Sequence, residues 1–191
     1  MRKVISLIHM SLDGYAAGPN GEMDWIVYDS DIEQAAHALH ATTDAAIYGR
    51  VTYQMMAGYW PSVLANPERQ TQAELNHARW VDTATKIVFS RTLDHADWHN
   101  TLLIKDNLVE EMQRIKQQPG KDIWLLGSPS LSQAFMQHNL IDEYRINVNP
   151  VILGGGKPYF GQQQTRLGLK LVASKAHQNG VTELRYEPAQ H

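Results

Sequence analysis

Residues 122–161 constrain the fold of this 191-residue chain more than any other stretch. They combine an apolar strand, a Gly-Ser-Pro turn, a helix, a second apolar strand and a glycine-rich bend. Gly127 ends the first strand, Ser128 can cap the helix, and Pro129 suits a first helical position, where its missing N–H leaves no bond unmade. A helix that starts at a strand end presents unpaired N–H groups and the positive end of its dipole. The turn therefore predicts a place for a phosphate, the alternative being an ordinary strand-to-helix turn.

Strands and helices alternate along most of the chain, and a hairpin closes it. Predicted strands cover residues 3–10, 45–48, 86–90, 101–104, 123–126, 144–153, 169–177 and 181–187, and predicted helices cover residues 30–39, 50–56, 66–81, 108–118 and 129–138. This order predicts an α/β fold with a mainly parallel central sheet of about eight strands, an antiparallel hairpin at its end and helices on both faces. Asn179-Gly180 between the last two strands predicts a type I′ turn.

Composition limits the class of protein. Hydrophobic residues make up 43% and charged residues 19%, and the length suits one well-filled core, so we expect a single domain over residues 1–191. The net charge is −3 and the 17 Lys and Arg are scattered, which argues against nucleic acid as a partner. The chain has no cysteine, which excludes disulfides and thiolate zinc sites. No apolar run is long enough to span a membrane and no signal-peptide cleavage site follows residue 10, so we expect a cytoplasmic protein with no membrane partner.

Three predicted strand ends carry residues that suit phosphate. The second strand ends in Gly49, Arg50 and Thr52, the third in Ser90 and Arg91, and the fifth in the Gly-Ser-Pro turn. Glycine lets a ligand approach the backbone, arginine offers forked donors, and hydroxyls add further hydrogen bonds. Because ligands of parallel sheets bind beyond the carboxyl ends of the strands, this set suits a dinucleotide with an extra 2′-phosphate. Each arginine taken alone is equally consistent with a solvated surface charge.

Several motifs carry a resemblance to a known family. They are SLDGY at residues 11–15, YGRVTY at 48–53, KIVFS at 86–90, LGS at 126–128 followed by Leu131, LIDEYR at 140–145, NPV at 149–151 and LGGGKP at 153–158. Over about residues 3–187 the chain resembles the dihydrofolate reductase-like superfamily. Within it, the chain is similar to stand-alone reductases related to the C-terminal domain of the bifunctional riboflavin-biosynthesis deaminase-reductase.

The resemblance implies a dihydrofolate reductase-like three-layer sandwich and NADPH as the hydride donor. It implies hydride transfer to a small heterocyclic or imine-bearing substrate, as in reduction of 5-amino-6-(5-phosphoribosylamino)uracil. The cofactor-binding residues that it implies are Gly49, Arg50, Thr52, Ser90, Arg91, Leu126, Gly127, Ser128, Pro129 and Leu131. The alternatives are dihydrofolate reductase-type activity on a pterin and a non-catalytic nucleotide-binding or assembly protein that keeps the fold. Two departures keep these open: Ser128 stands where the family usually has a second glycine, and Gln54 to Ala57 replace acidic residues after Thr52.

Candidate proton donors and substrate contacts follow from position. Asp13 and Asp31 are candidate catalytic acids, although Asp13 also suits a turn with Gly14 and Asp31 also suits the first turn of a helix. Met10, Trp25 and Tyr53 are candidate substrate-binding residues, and each is equally consistent with packing or loop anchoring.

The histidines and the strand edges complete the expectations. His37 and His40 share a helix face and His95 and His99 are four apart, but no acidic ligand completes either pair, so we expect no metal site. We expect a homodimer, because the strand at residues 144–153 and the closing hairpin offer edges that need covering.

Overall fold

An eight-stranded sheet organises the chain. The structure, a computed structural model, describes residues 1–28, 30–163 and 166–189. Its strands are β1 (Val4–Ser11), β2 (Tyr15–Ala17), β3 (Thr43–Gly49), β4 (Thr85–Phe89), β5 (Thr101–Ile104), β6 (Asp122–Leu126), β7 (Glu143–Asn149), β8 (Lys157–Pro158), β9 (Leu169–Ala176) and β10 (Thr182–Pro188). Its helices are α1 (Ser30–Thr42), α2 (Arg50–Ala65), α3 (Gln72–Thr83), α4 (Leu108–Gln117) and α5 (Pro129–Gln137).

The predicted fold class is confirmed. The sheet order is β5-β4-β3-β6-β1-β7-β10-β9, and every pair from β5 to β7 is parallel. β10 runs antiparallel to both β7 and β9, and β2 pairs with β8 in a separate two-stranded sheet. Because β3, β4 and β6 are parallel neighbours, their carboxyl ends meet at one edge of the sheet.

Two apolar cores lie on the two faces of the sheet, as a three-layer arrangement requires. In β6, Ile123 and Leu125 pack into the core that includes Met112 of α4 and Phe135 of α5. Trp124 between them packs into the other core with residues of α1, α2 and α3. Successive side chains of a strand point to opposite faces, so a continuous apolar run such as β6 is buried on both sides.

The helices between β3 and β4 differ from the prediction. α2 continues to Ala65 through Pro61, well beyond the predicted end at residue 56. The predicted helix from Asn66-Pro67 is only a short 3-10 turn over Pro67–Arg69. α3 begins later because Thr71 and Glu74 form a reciprocal capping box, in which the Thr71 Oγ accepts from the Glu74 N–H at 3.2 Å. Two bonded backbone N–H groups define a helix start better than a proline does.

The closing hairpin is present, but its turn is not of type I′. The Gly180 N–H donates to the His177 carbonyl at 3.0 Å, and the His177 N–H donates to the Val181 carbonyl at 2.9 Å. Gly180 has a φ of +89°, whereas a type I′ turn also needs a positive φ at Asn179. The loop is thus one residue longer, with glycine in the left-handed bulge position that closes three-residue hairpins.

The strand predicted over residues 144–153 also differs. β7 ends at Asn149 and lies inside the sheet between β1 and β10, so it offers no free edge. The edge on this side is β9. Within the described residues, no helix is long and apolar enough to cross a membrane.

Candidate functional site

Two neighbouring strand ends come into close contact at the carboxyl edge of the sheet. Gly49 ends β3 and Gly127 follows β6, which pairs with β3. A Cβ placed on Gly49 would overlap the hydroxyl of Ser128, and a Cβ placed on Gly127 would lie 3.6 Å from Cγ2 of Thr52. We call Gly49, Arg50, Thr52, Gly127 and Ser128 the strand-end cradle. Glycine at two of these positions keeps the backbone open to close approach by a ligand.

The helices that start in the strand-end cradle have unfilled N-termini. Neither α2 nor α5 has a side-chain cap, and neither has an acidic residue in its first turn. The expectation that Ser128 caps α5 is wrong, because Ser128 has a φ of +54° and makes no capping hydrogen bond. A capping residue normally has an extended backbone. The left-handed backbone of Ser128 instead turns its hydroxyl towards Gly49. The first-turn N–H groups therefore remain available, and such groups favour a phosphate.

The third strand end lies beside the first two. Phe89 of β4 is in register with Gly49, so Ser90 and Arg91 follow at the same edge. The Ser90 hydroxyl accepts the N–H groups of Thr92 at 3.3 Å and Leu93 at 3.0 Å, which fixes the loop after β4. Arg91 is exposed. Among the other residues predicted to bind the cofactor, Arg50 is exposed with its Nη1 3.4 Å from Gln54 Oε1, Pro129 opens α5, and Leu131 is buried.

A cavity of about 720 Å³ lies between the sheet, α1 and α3. We call it the histidine cavity, because four histidines are among its lining residues. The lining includes His9, His37, His40, His77, Tyr28, Trp60, Trp124 and Asn147. Leu126 and Gly127 also line it, so the histidine cavity and the strand-end cradle share a wall. A ligand in the strand-end cradle could therefore reach one in the cavity.

The histidines of this cavity are held by aromatic neighbours. His40 Nε2 lies 2.9 Å from His77 Nδ1, so the two rings share one hydrogen. His40 stacks on Trp80 with ring centroids 5.1 Å apart, and His77 lies 4.4 Å from Trp60. Burial lowers the pKa of His9 and of His40 to about 4 and that of His77 to about 3. These rings are therefore neutral near pH 7.

The two predicted acids have different positions. The carboxylate of Asp13 accepts hydrogen bonds from the Ser11 hydroxyl at 2.7 Å and from the N–H groups of Leu153 at 3.1 Å and Gly154 at 2.8 Å. These bonds lower the pKa of Asp13, which disfavours its protonated form at neutral pH. They also tie the loop after β1 to the glycine-rich bend. Asp31 lies in the first turn of α1, and its side chain falls outside the described part of the chain.

The three predicted substrate contacts do not line the histidine cavity. Met10 is buried in the apolar core that includes Phe135. Trp25 donates from Nε1 to the Glu22 carbonyl at 3.0 Å. Tyr53 is buried, and its hydroxyl accepts the Trp98 N–H at 3.1 Å. Their substrate role stays a prediction, and each has a structural contact of its own.

The sequence did not indicate the histidine cavity. The spacing of His37 and His40 suggests only a pair of metal ligands, and no group of three or more metal-ligating side chains occurs in the part of the chain that the structure describes. His9 and His77 come from β1 and α3, and no local pattern relates two such distant positions.

Comparisons with known proteins show which family the chain belongs to. Residues 2–182 match the family model of the RibD C-terminal domain. The uncharacterized protein YyaP of Bacillus subtilis is 36% identical, over 97% of this chain and 94% of the relative.

Two solved structures share the fold. A deaminase and 5-amino-6-(5-phosphoribosylamino)uracil reductase from Thermotoga maritima aligns with a TM-score of 0.70 and 16% identity, over 98% of this chain and 57% of that one. Dihydrofolate reductase from Enterococcus faecalis, in complex with NADP(H), aligns with a TM-score of 0.63 and 13% identity, over 98% of this chain and 97% of that one. The fold is thus dihydrofolate reductase-like, and the family match over nearly the whole chain confirms the resemblance that the motifs indicated. This chain belongs to the RibD C-terminal domain family.

Proposed function

We propose that this protein is an NADPH-dependent reductase that transfers hydride to a small heterocyclic or imine-bearing substrate. The observation that carries the proposal is the meeting of two uncapped helix N-termini, α2 and α5, at the strand-end cradle next to the histidine cavity. Membership of the family supports an oxidoreductase. The named activity of the Thermotoga maritima relative and the NADP(H) bound to the Enterococcus faecalis enzyme support the reaction type and the cofactor.

In this proposal the strand-end cradle holds the cofactor phosphates. The N–H groups of α5 and the open backbone of Gly49 and Gly127 approach the pyrophosphate. Arg50 supplies a charged donor there, while Ser90 and Arg91 lie nearest the 2′-phosphate. Leu126, Pro129 and Leu131 support the loop. When bound, the cofactor supplies the hydride, and the protein supplies position and electrostatics.

The histidine cavity holds the substrate. Tyr28, Trp60 and the neutral imidazoles offer flat ring surfaces, which favour a planar ring. Asp31 and Asp13 remain the proposed proton donors. The bonds of Asp13 to the glycine-rich bend favour Asp31 of the two.

Titration of the purified protein with NADPH and with NADH, followed by quenching of tryptophan fluorescence, tests the proposal. We expect the Kd for NADPH to be at least tenfold lower than that for NADH. No binding of either at millimolar concentration would overturn the proposed function. A preference for NADH would refute NADPH as the cofactor and, with it, the 2′-phosphate role of Ser90 and Arg91.

A non-catalytic nucleotide-binding protein is the second candidate. Gln54 to Ala57, where family reductases carry acidic residues, favour it, as do the hydrogen bonds that occupy Asp13. Pterins, dihydrofolate and 5-amino-6-(5-phosphoribosylamino)uracil should be screened with NADPH. Turnover of any of them rejects this candidate if folded Arg50→Ala protein needs about tenfold more NADPH to reach the same rate. Turnover of dihydrofolate alone indicates the dihydrofolate reductase-type alternative.

We also propose a homodimer that forms through the β9 side of the sheet. β9 is the last strand of the sheet, and Leu171 and Val172 on it are 50% and 44% exposed. An edge strand with unpaired backbone groups and exposed apolar side chains favours pairing with another chain. Light scattering at micromolar concentration should give a dimer mass that Leu171→Lys reduces to that of a monomer, whereas a wild-type monomer contradicts the proposal. A cytoplasmic location remains part of the same expectation.

A further inference from the structure

We propose that the substrate of this reductase is a planar aromatic ring that carries no phosphate and is neutral or positively charged. The inference rests on the proposed function and concerns the histidine cavity. It separates this chain from the phosphoribosyl substrate in the name of the Thermotoga maritima relative. Four observations on the cavity carry it.

First, no Lys or Arg occurs among the described residues that line the histidine cavity, whereas two carboxylates, those of Glu33 and Glu74, do. A phosphate that leaves water needs cationic or N–H partners to compensate for its lost hydration. The lining offers the opposite charge, which opposes a phosphate and favours a neutral or cationic ligand.

Second, the deeper histidines do not replace the missing cations. His9, His40 and His77 have pKa values that burial lowers to about 4, 4 and 3, so they are uncharged at neutral pH. His40 and His77 already bond to each other. Among the lining histidines, only His37 is exposed at the surface of α1, and a single imidazole is a weak site for a dianion.

Third, the N-terminus of α3, which faces the histidine cavity, is already filled by a carboxylate. Thr71, Ala73 and Glu74 of the α3 start line the cavity, and the Glu74 carboxylate accepts the Thr71 N–H at 2.8 Å. The first turn of α1 carries Glu33, which lines the cavity too. The N-termini of α2 and α5 have no acidic residue in their first turns. The helix ends that suit a phosphate therefore lie in the strand-end cradle, where the cofactor is proposed to bind.

Fourth, the lining suits a flat ring. Trp60 and His77 lie with ring centroids 4.4 Å apart, and Tyr28 lies 4.9 Å from His9 on β1. Asn147 is the neighbour of His9 across the β1–β7 pair, and its amide lines the same wall. Aromatic faces with one amide at the edge match a heterocycle with ring nitrogens and carbonyls.

The test uses matched pairs that differ only in phosphate. One pair is 5-amino-6-(5-phosphoribosylamino)uracil and its phosphatase-treated product, and a second is a hydroxymethylpterin and its phosphate ester. Each compound is titrated into the 191-residue protein saturated with NADPH, with binding followed by quenching of tryptophan fluorescence and turnover by NADPH oxidation. We expect the unphosphorylated member of at least one pair to bind at least tenfold more tightly. Tighter binding of the phosphorylated members, or no binding of any compound at millimolar concentration, overturns the inference.

Charge-reversal variants give a second readout. Glu33→Lys should improve the affinity for the phosphorylated members about tenfold, because it places a cation in the cavity lining. Glu68→Lys is the matched control, since Glu68 is exposed on the 3-10 turn outside the cavity, and it should change nothing. An equal effect of both variants would mean that bulk charge alone is responsible, which also overturns the inference. The NADPH titration of the same samples reports separately on the proposed function. A failure of the proposed function is therefore distinguishable from a failure of the inference about the substrate.

Discussion

The strand-end cradle and the histidine cavity meet at Gly127, which belongs to both, yet they differ in almost every physical respect. In the strand-end cradle, two helices begin with neither a side-chain cap nor an acidic residue, and arginines lie nearby. In the histidine cavity, α3 begins with a complete capping box, and the acidic side chains Glu33 and Glu74 belong to the described lining, which has no Lys or Arg. Unfilled N–H groups and cations select an anion, whereas filled ones and aromatic faces select a flat uncharged ring. The contrast therefore favours the cofactor phosphates in the strand-end cradle and the substrate in the histidine cavity.

The largest expected effect concerns the open backbone of the strand-end cradle. In Gly49→Val the new side chain would overlap the Ser128 hydroxyl and fill the space that a phosphate needs, so NADPH affinity should fall roughly 100-fold, about 2.8 kcal/mol. Fluorescence titration measures it. Gly58→Ala on the same helix is the control, because a Cβ placed on Gly58 would meet no atom within 4 Å, and it should leave the affinity intact. Unchanged NADPH binding in the Gly49 variant would contradict the assignment of the cofactor phosphates to the strand-end cradle.

The second effect tests whether the histidine cavity is uncharged. Burial, and then the charge of His40, lower the pKa of His77 to about 3 in the folded protein, against 6.5 as its ordinary value. This neutral histidine therefore contributes stability that is complete above pH 6.5 and is lost as the pH falls towards 3. When the pH is lowered from about 6.5 to about 5, the unfolding free energy of His77→Phe should fall by roughly 2 kcal/mol less than that of the wild-type protein. Urea unfolding at several pH values measures it, and identical pH profiles would show that His77 is charged when folded.

The third effect concerns a single cation of the strand-end cradle. Arg50→Ala should weaken NADPH binding about tenfold, about 1.4 kcal/mol, because one charge-assisted bond to a phosphate is lost. The loss should shrink as ionic strength rises. Arg69→Ala is the control, since Arg69 is 80% exposed on the 3-10 turn. Equal losses in both variants would indicate a general charge effect rather than a contact.

The smallest effect concerns backbone strain at the turn. Ser128 has a φ of +54°, a conformation that costs a residue with a side chain roughly 1 kcal/mol. Ser128→Gly should raise the unfolding free energy by less than about 1 kcal/mol and change NADPH affinity by less than Arg50→Ala does. Asn139→Gly, at another left-handed position with a φ of +52°, controls for strain relief away from the strand-end cradle. A large loss of NADPH affinity in Ser128→Gly alone would show that the hydroxyl itself binds the cofactor.

Much of the fold was predictable because its signals are local. The apolar run of β6 is buried on both faces, and the alternation of strands and helices requires parallel pairing. The span of β5, Thr101–Ile104, was predicted correctly because its signal, too, is a short local run of residues. The start of α3 was predicted wrongly because two local signals competed: Asn66-Pro67 suggested a helix start, but the capping box of Thr71 and Glu74 begins the helix. The hairpin turn was predicted wrongly because Asn-Gly occurs both in type I′ turns and in three-residue loops with a glycine bulge.

The sequence by itself determined the family, the sheet and the glycines at two strand ends, since each depends on residues close together in the chain. Only the tertiary structure decided that the Ser128 hydroxyl turns towards Gly49 rather than capping α5. It likewise brought His9, His40 and His77 from a strand and two helices into one cavity. The physical reason is that backbone pattern is a property of neighbouring residues, whereas burial, and with it the charge state of a histidine, depends on packing between residues far apart in the chain.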